Sequence, residues 1–377
     1  MLHQTKEHAI GYQISHDTFF ESTNVNNAGD PFSSNQFYQL HSHEDERALV
    51  NRFAYDILKC EPGSMWGYCG SGSTESILNG LWMARKRFQN VPTVYASSDC
   101  HFSVPKAADI LCMPFVSVPV DPENGTMDLK LMDIVKPAVL VLTLGTTIRN
   151  AYDNPLALPH DMTDTHIHVD AAFGGAVYPW IVPKLLDIPF DTFNVSFHKF
   201  WGSPYPCSLF LVKKTVKNDI QGKGCFGKDM VCLPDKDFTL SCSRNGTVVS
   251  MVKELITSDN FFETHLHYVK QCFKRKYFFV NMLANKLPDQ RFRTHPYGLS
   301  VELFELPRAF ERIAREKYSM SVRNKTDVLF DSHLYVCSHV TENVLRELID
   351  DIGCCLFNEN PVSMIGHNQG DRHVKTE

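Results

Sequence analysis

Ala138-Val139-Leu140-Val141-Leu142-Thr143-Leu144 is a short, uncharged, almost unbroken apolar run. A strand of this texture is buried on both faces, as strands of a parallel sheet are when helices cover them. Similar short runs lie outward from it. Upstream, Thr93–Ala96 is β-rich and follows Pro92, a place where a strand tolerates proline. Downstream, Thr165–Val169 alternates and stops at Asp170, Thr192–Val195 leads into Ser196, and Ser208–Val212 follows closely. Helical spacing fills the gaps. Ala48, Leu49, Phe53, Ala54, Ile57 and Leu58 mark a helix over 44–58, and 73–88 reads as another opened by small polar residues. Strands alternating with helices predict an α/β fold with a mostly parallel sheet.

From about residue 250 the texture changes. A long helical pattern covers 261–287, then come a strand over 299–306, a helix near 308–317, a strand over 332–340 and a helix over 341–351. This order reads as a small C-terminal α+β domain. The chain of 377 residues divides into a polar N-terminal segment (1–50), a large domain (51–255) and the small domain (256–377). Asn26-Asn27-Ala28-Gly29-Asp30-Pro31 is turn-rich. The last ten residues are polar and read as a frayed end.

Composition narrows the function classes. Net charge is −6 and hydrophobic residues make up 43%, so the basic footprint of a nucleic-acid binder is missing. No run approaches the ~20 apolar residues of a membrane span, and Met1 to Gln13 is polar rather than a secretory leader. The 12 cysteines are scattered, with no recurring CxxC pair. They suit a reducing, cytoplasmic compartment in which most act as small core hydrophobes.

Four places carry chemistry. In Ser196-Phe197-His198-Lys199-Phe200 a lysine follows a short apolar strand, between a hydroxyl and an imidazole suited to a phosphate. Such a lysine can form a Schiff base with an aldehyde cofactor, although a lone lysine is usually a solvated surface residue. Asp170 stands at a strand's C-terminal end, where open α/β sheets bind ligands, and precedes Ala171-Ala172-Phe173-Gly174-Gly175. Taken alone it more often caps a turn or helix than pairs with a pyridine nitrogen. Gly67-Tyr68-Cys69-Gly70-Ser71-Gly72-Ser73-Thr74-Glu75-Ser76 leads into a helix, so backbone N–H groups and the helix N-terminus favour an anion there, although an ordinary loop with a capped helix reads equally well. It lacks the Gly-Lys-Ser/Thr of a nucleotide P-loop. His101, in Asp99-Cys100-His101-Phe102-Ser103, sits in a loop before a helix and could stack on a planar ring.

The order of these sites resembles the group II pyridoxal-phosphate (PLP) dependent amino-acid decarboxylases. Within that group the chain is similar to the short bacterial histidine decarboxylases and the plant serine decarboxylases. The likeness runs through residues 10–15, 26–31, 101–108, 144–154, 198–207, 239–246 and 332–341, nearly the whole chain. The resemblance implies the type I PLP-dependent transferase fold (aspartate aminotransferase-like) and PLP as cofactor. It also implies an amino-acid substrate and a homodimer with shared active sites. Lys199 would hold the cofactor, Asp170 pair with its ring nitrogen, and His101 stack over the ring with Ala172 on the opposite face. Ser71, Gly72, Ser73, Thr74, Ser196 and His198 would surround the phosphate. Thr146 or Thr147 would lie near the ring, and residues 241–246 would approach the partner's site.

The chain departs from the family at defined points. Ser73 and Ser76 stand where the phosphate loop carries glycines, Ser208 and Cys242 also stand where Gly is usual, and the stretch from Thr147 to Asp170 is short. Serine restricts positive φ, which puts cofactor affinity in question. The reaction expected is histidine to histamine and CO2, with serine or another amino acid as the alternative. A carbon–carbon lyase or aminotransferase stays open, because a fold does not fix a reaction. A non-catalytic relative is opposed by the intact Lys199, Asp170 and His101.

Overall fold

The computed structural model describes residues 26–33, 41–129, 133–158, 161–182, 189–226 and 237–358. The polar first 25 residues, the family-like stretch 10–15 and the polar tail lie outside the described residues. In chain order the elements are β1 (Asn26–Ala28), α1 (His43–Asn51), β2 (Met65–Gly70), α2 (Ser73–Arg87), β3 (Thr93–Ser97) and α3 (Ser103–Ile110). Then come β4 (Phe115–Val118), β5 (Ala138–Thr143), β6 (Thr165–Asp170), α4 (Tyr178–Ile181), β7 (Thr192–Ser196) and β8 (Ser208–Lys213). After them come α5 (Lys214–Ile220), β9 (Ser243–Asn245), α6 (Gly246–Ile256) and α7 (Phe261–Lys286). The last are β10 (Phe292–Thr294), β11 (Ser300–Pro307), α8 (Glu311–Glu316), β12 (Leu329–Tyr335) and α9 (Glu342–Asn358).

The main sheet has the order β2-β8-β7-β6-β5-β3-β4. The β3–β4, β3–β5, β5–β6 and β6–β7 pairings are parallel, while β8 runs antiparallel to both of its neighbours. β5 is buried along its whole length, as its apolar run predicts. Its side chains alternate between two cores: Leu140 and Leu142 join one on one face, while Val139 and Val141 pack with Ile77, Leu81 and Ala84 of α2 on the other. β6 divides differently. Ile167 and Val169 enter the first core, but His166, His168 and Asp170 occupy the opposite face and are buried as well. Its polar–apolar alternation therefore does not mark a solvent face, because α2 covers the polar side. The approach is close: a Cβ on Gly80 of α2 would stand 2.6 Å from His168 Nδ1.

A second, antiparallel sheet, β10-β11-β12, carries its own core with α9 and the end of α7. α7 joins the two: Val269 and Cys272 belong to the large core, Phe279 and Leu283 to the small one.

Several elements differ from the sequence expectations. β2 and β4 were not legible as strands. β2 contains Gly67 and Gly70, poor strand formers, yet Gly67 is required there because a Cβ would meet Phe210 O at 2.3 Å. The 44–58 helix is α1 followed directly by a π-helical turn, Arg52–Ile57. The turn-rich 26–31 stretch begins as a strand, with β1 pairing β9. The strand expected at 332–340 begins at Leu329 and ends at Tyr335. Between β5 and β6 the described residues hold a single 3-10 turn, Pro155–Ala157. Cysteines are less often core residues than expected: Cys69, Cys207, Cys272, Cys337 and Cys355 are buried, but Cys112, Cys225 and Cys354 are exposed. No helix among the described residues is long and apolar enough to cross a membrane.

Candidate active site

β3, β6 and β7 end at one edge of the main sheet, and the N-terminus of α2 opens onto the same edge. A cavity of about 380 Å³ lies there, lined by Ser71, Gly72, Ser73 and Thr74 on one side and by Asp170, Ala172, Ser196, His198 and Lys199 on the other, with His101 also in the wall. Its size suits a small organic ligand. The residues singled out in the sequence therefore converge, apart from Thr146 and Thr147. Neither of these lines the cavity. Thr146 Oγ1 accepts the Ala151 N–H at 3.0 Å. The Thr146 and Thr147 carbonyls accept the Tyr335 hydroxyl at 3.1 and 2.7 Å, so this turn is where the small sheet docks. Glu75, Ile77 and Pro206 also line the cavity, although no role was expected of them.

At one end, the Glu75 N–H donates to Gly72 O at 3.0 Å, while the Ser73 and Thr74 N–H groups that open α2 have no intrahelical partner and make a cradle for an anion. Gly72 enables it with φ +147°, a conformation other residues avoid. Ser73 and Ser76 lie inside the helix that follows, so neither needs the freedom of the glycine it replaces. Each has found a partner. Ser73 Oγ is 2.7 Å from Ser196 Oγ, and Ser76 Oγ is 2.8 Å from Ser208 Oγ, so two departures from the family pattern bond to each other. Glu75 accepts the Ser71 N–H at 2.7 Å and shapes the loop from within. Beneath it, buried Glu46 accepts the Cys69 N–H at 2.7 Å and pairs with Arg244 at 3.1 Å. Arg244, expected near a partner's site, is thus turned inward.

At the other end, Asp170 is the last residue of β6 and 3% exposed. Its Oδ1 accepts from Asn194 Nδ2 at 3.0 Å and from the Ala172 N–H at 3.2 Å. Among the described residues Oδ2 has no partner, so one carboxylate oxygen is left for a ligand. Lys199 follows β7. Burial pushes its amine below the usual lysine range, and the Asp170 charge draws it partly back. His198 Nδ1 lies 3.1 Å from the Cys207 amide nitrogen, which holds the ring against the start of β8. The His101 pKa is lowered by burial, then by the Lys199 charge, with Asp170 opposing. The Ser103 N–H donates to His101 Nδ1 at 3.3 Å, so the neutral ring carries its proton on Nε2. Arg149 Nε, 3.1 Å from Asp99, ties this loop to the turn after β5.

A phosphate cradle, a desolvated lysine and a buried carboxylate with a free oxygen fit an aldehyde-bearing pyridine phosphate. Comparison with known proteins agrees. A pyridoxal-dependent decarboxylase conserved domain matches residues 74–252. The histidine decarboxylase of Mesorhizobium japonicum is 32% identical over 260 residues, 63% of this chain and 67% of the relative. The chain belongs to the pyridoxal-dependent decarboxylase family. That membership brings pyridoxal phosphate as the cofactor. The histidine decarboxylase of Vibrio anguillarum is 30% identical over 260 residues, covering 64% of each protein, so the match spans just under two thirds of that relative. Serine decarboxylase 2 of Oryza sativa subsp. japonica is 30% identical over 266 residues, 65% of this chain and 55% of the relative. The crystal structure of L-methionine decarboxylase from Streptomyces sp. 590 superposes with a TM-score of 0.79 at 19% identity, covering 92% of this chain and 91% of that one. The fold is that of the type I PLP-dependent enzymes.

Proposed function

We propose that this chain decarboxylates an L-amino acid, with histidine giving histamine and CO2 as the first choice. The carrying observation is that Lys199, Asp170, His101 and the α2 N-terminus line one cavity. Bound pyridoxal phosphate supplies an electron sink for the pair left on Cα when CO2 departs. The protein's part is placement and proton control. Asp170, held by Asn194, keeps its free oxygen at the ring-nitrogen end, where a carboxylate favours a protonated pyridine. Ser73, Thr74, Ser196 and His198, with the N–H groups of Ser73 and Thr74 at the start of α2, would hold the phosphate. Lys199, its pKa lowered by burial, holds more neutral amine than a surface lysine and is a better nucleophile toward the aldehyde. Neutral His101, with its proton on Nε2, can face the ring and return a proton to Cα. Ala172, a small side chain in the cavity wall, would leave room for the pyridine ring.

The choice of histidine rests on relatives of that name, and the rice serine decarboxylase keeps serine as the second reading. A homodimer with shared sites is part of the same reading. It is supported by Phe102 and Tyr205, 61% and 53% exposed, which follow and precede cavity residues His101 and Pro206. Buried and exposed cysteines that stand as thiols, such as Cys69, Cys112, Cys207 and Cys225, favour a reducing, cytoplasmic setting. The test is mass-spectrometric product analysis of PLP-loaded protein with each common amino acid, beside Lys199→Ala. Histamine formed from histidine only when Lys199 is present is the expected result. Another amine moves the substrate assignment, and no amine from any amino acid sinks the reading. Light scattering on the same preparation reads the dimer, and a monomer mass sinks that part.

A further inference from the structure

β6 and β7 lie side by side with His168 opposite Thr192 and Asp170 opposite Asn194. On the face beneath α2 they present His166, His168 and Asp170 from one strand and Thr192, Asn194 and Ser196 from the other, all buried. A core gains nothing from polar side chains unless they are bonded, and these form a row. Thr192 Oγ1 stands 2.9 Å from His166 Nε2 and 2.9 Å from His168 Nδ1. Asn194 Nδ2 uses its two protons on Asp170 Oδ1 at 3.0 Å and Ser73 Oγ at 2.9 Å. One amide thus touches both ends of the cofactor cavity.

Proton counting fixes the direction of the row. A threonine hydroxyl has one proton and two lone pairs, so at most one of the two imidazoles accepts from it. Asn194 Oδ1 can only accept, and it is buried without a partner in strict geometry, as is His168 Nε2. His168 and Asn194 are diagonal neighbours on adjoining strands, which sets the two orphans on the same buried face beneath α2. A proton on His168 Nε2 therefore serves both orphans. Nδ1 then accepts from Thr192, which accepts in turn from His166 Nε2. The reverse arrangement would set two lone pairs against each other. A flipped Asn194 would aim its carbonyl at the Asp170 carboxylate.

We propose that His168 is a positioning residue: its Nε2–H locks the Asn194 amide in the orientation that donates to Asp170 and Ser73 together. This rests on pyridoxal phosphate occupying the cavity. The test titrates pyridoxal 5′-phosphate into apo protein, following both affinity and the pH titration of the Lys199-dependent chromophore. His168→Leu removes the donor, and His168→Gln replaces it with an amide N–H. Leaving one buried acceptor unpaired should weaken cofactor binding roughly tenfold in His168→Leu and shift the chromophore's titration, while His168→Gln stays within about threefold of wild type. Wild-type behaviour of His168→Leu overturns the proposal, as does an equal loss in His168→Gln. Should His168→Leu not fold, Thr192→Val is read instead. It is nearly isosteric and frees the His168 tautomer, so wild-type affinity and an unshifted chromophore there also overturn the proposal. Absence of the chromophore in wild type would instead refute the cofactor reading itself.

Discussion

The two ends of the cavity are built by different means. At the Asp170 end, neighbouring strands of one sheet supply the carboxylate and its supports, and the bonds run sideways between β6 and β7. At the Ser71–Thr74 end, the loop hangs from an edge strand and is braced from elsewhere in the chain: Glu46 from α1, Arg244 from β9 and Asn27 from β1. The first is the product of sheet register, which any change of pairing would scramble. The second is an assembled buttress, whose members lie some two hundred positions apart in the sequence. A site can thus be rigid at one end by local geometry and at the other by a long-range ion pair.

The largest expected effect tests the buttress. Glu46 and Arg244 are both buried, and burial already pushes the Glu46 carboxyl upward despite Arg244. Arg244→Ala should cost about 3–5 kcal/mol in urea unfolding, the usual result of stranding one member of a buried pair. A loss below about 1 kcal/mol, the scale of a surface pair, would mean the loop stands without its brace.

Acid sharpens the other end. Burial holds His166 down to about 3 and His168 down to about 4, from an ordinary value of 6.5. The unfolded chain takes these protons first, so stability present above pH 6.5 is lost as pH falls toward 4, at up to about 1.4 kcal/mol per pH unit for each histidine. Asp153, pushed up to about 6 by burial, has the opposite sign and offsets part of the loss. Denaturant titrations at a series of pH values should therefore show falling stability below 6.5, less steeply in His168→Gln. An equal slope in that variant would remove His168 from the account.

The smallest effect concerns the Ser76–Ser208 pair, 2.8 Å apart. Ser76→Ala and Ser208→Ala should each cost about 1 kcal/mol, and the double variant little more than either, because the second change leaves no new orphan. Additive losses would show that the two hydroxyls act independently, and that these substitutions at glycine positions are not a compensating pair.

Much of this was legible in sequence. The apolar run 138–144 predicted a doubly buried strand, and β5 is one. Order and spacing singled out Lys199, Asp170, His101 and the small-residue loop, and all of them line the cavity. Thr146 and Thr147 were singled out by resemblance alone, and their carbonyls serve the docking of Tyr335. β2 escaped notice because its glycines lower strand propensity, while the need for Gly67 lies in Phe210 on the neighbouring strand.

The sequence by itself determined the chemical inventory: a lysine, a carboxylate, an imidazole and a helix N-terminus, each at the end of a recognisable element. Only the tertiary structure decided how these are held. That Asn194 bridges Asp170 and Ser73, that His168 faces α2 rather than solvent, and that Arg244 turns inward to Glu46 all depend on which strands become neighbours and which helix covers them. The physical reason is that hydrogen-bond partners and burial are set by packing between distant segments, whereas residue type and local periodicity are written along the chain.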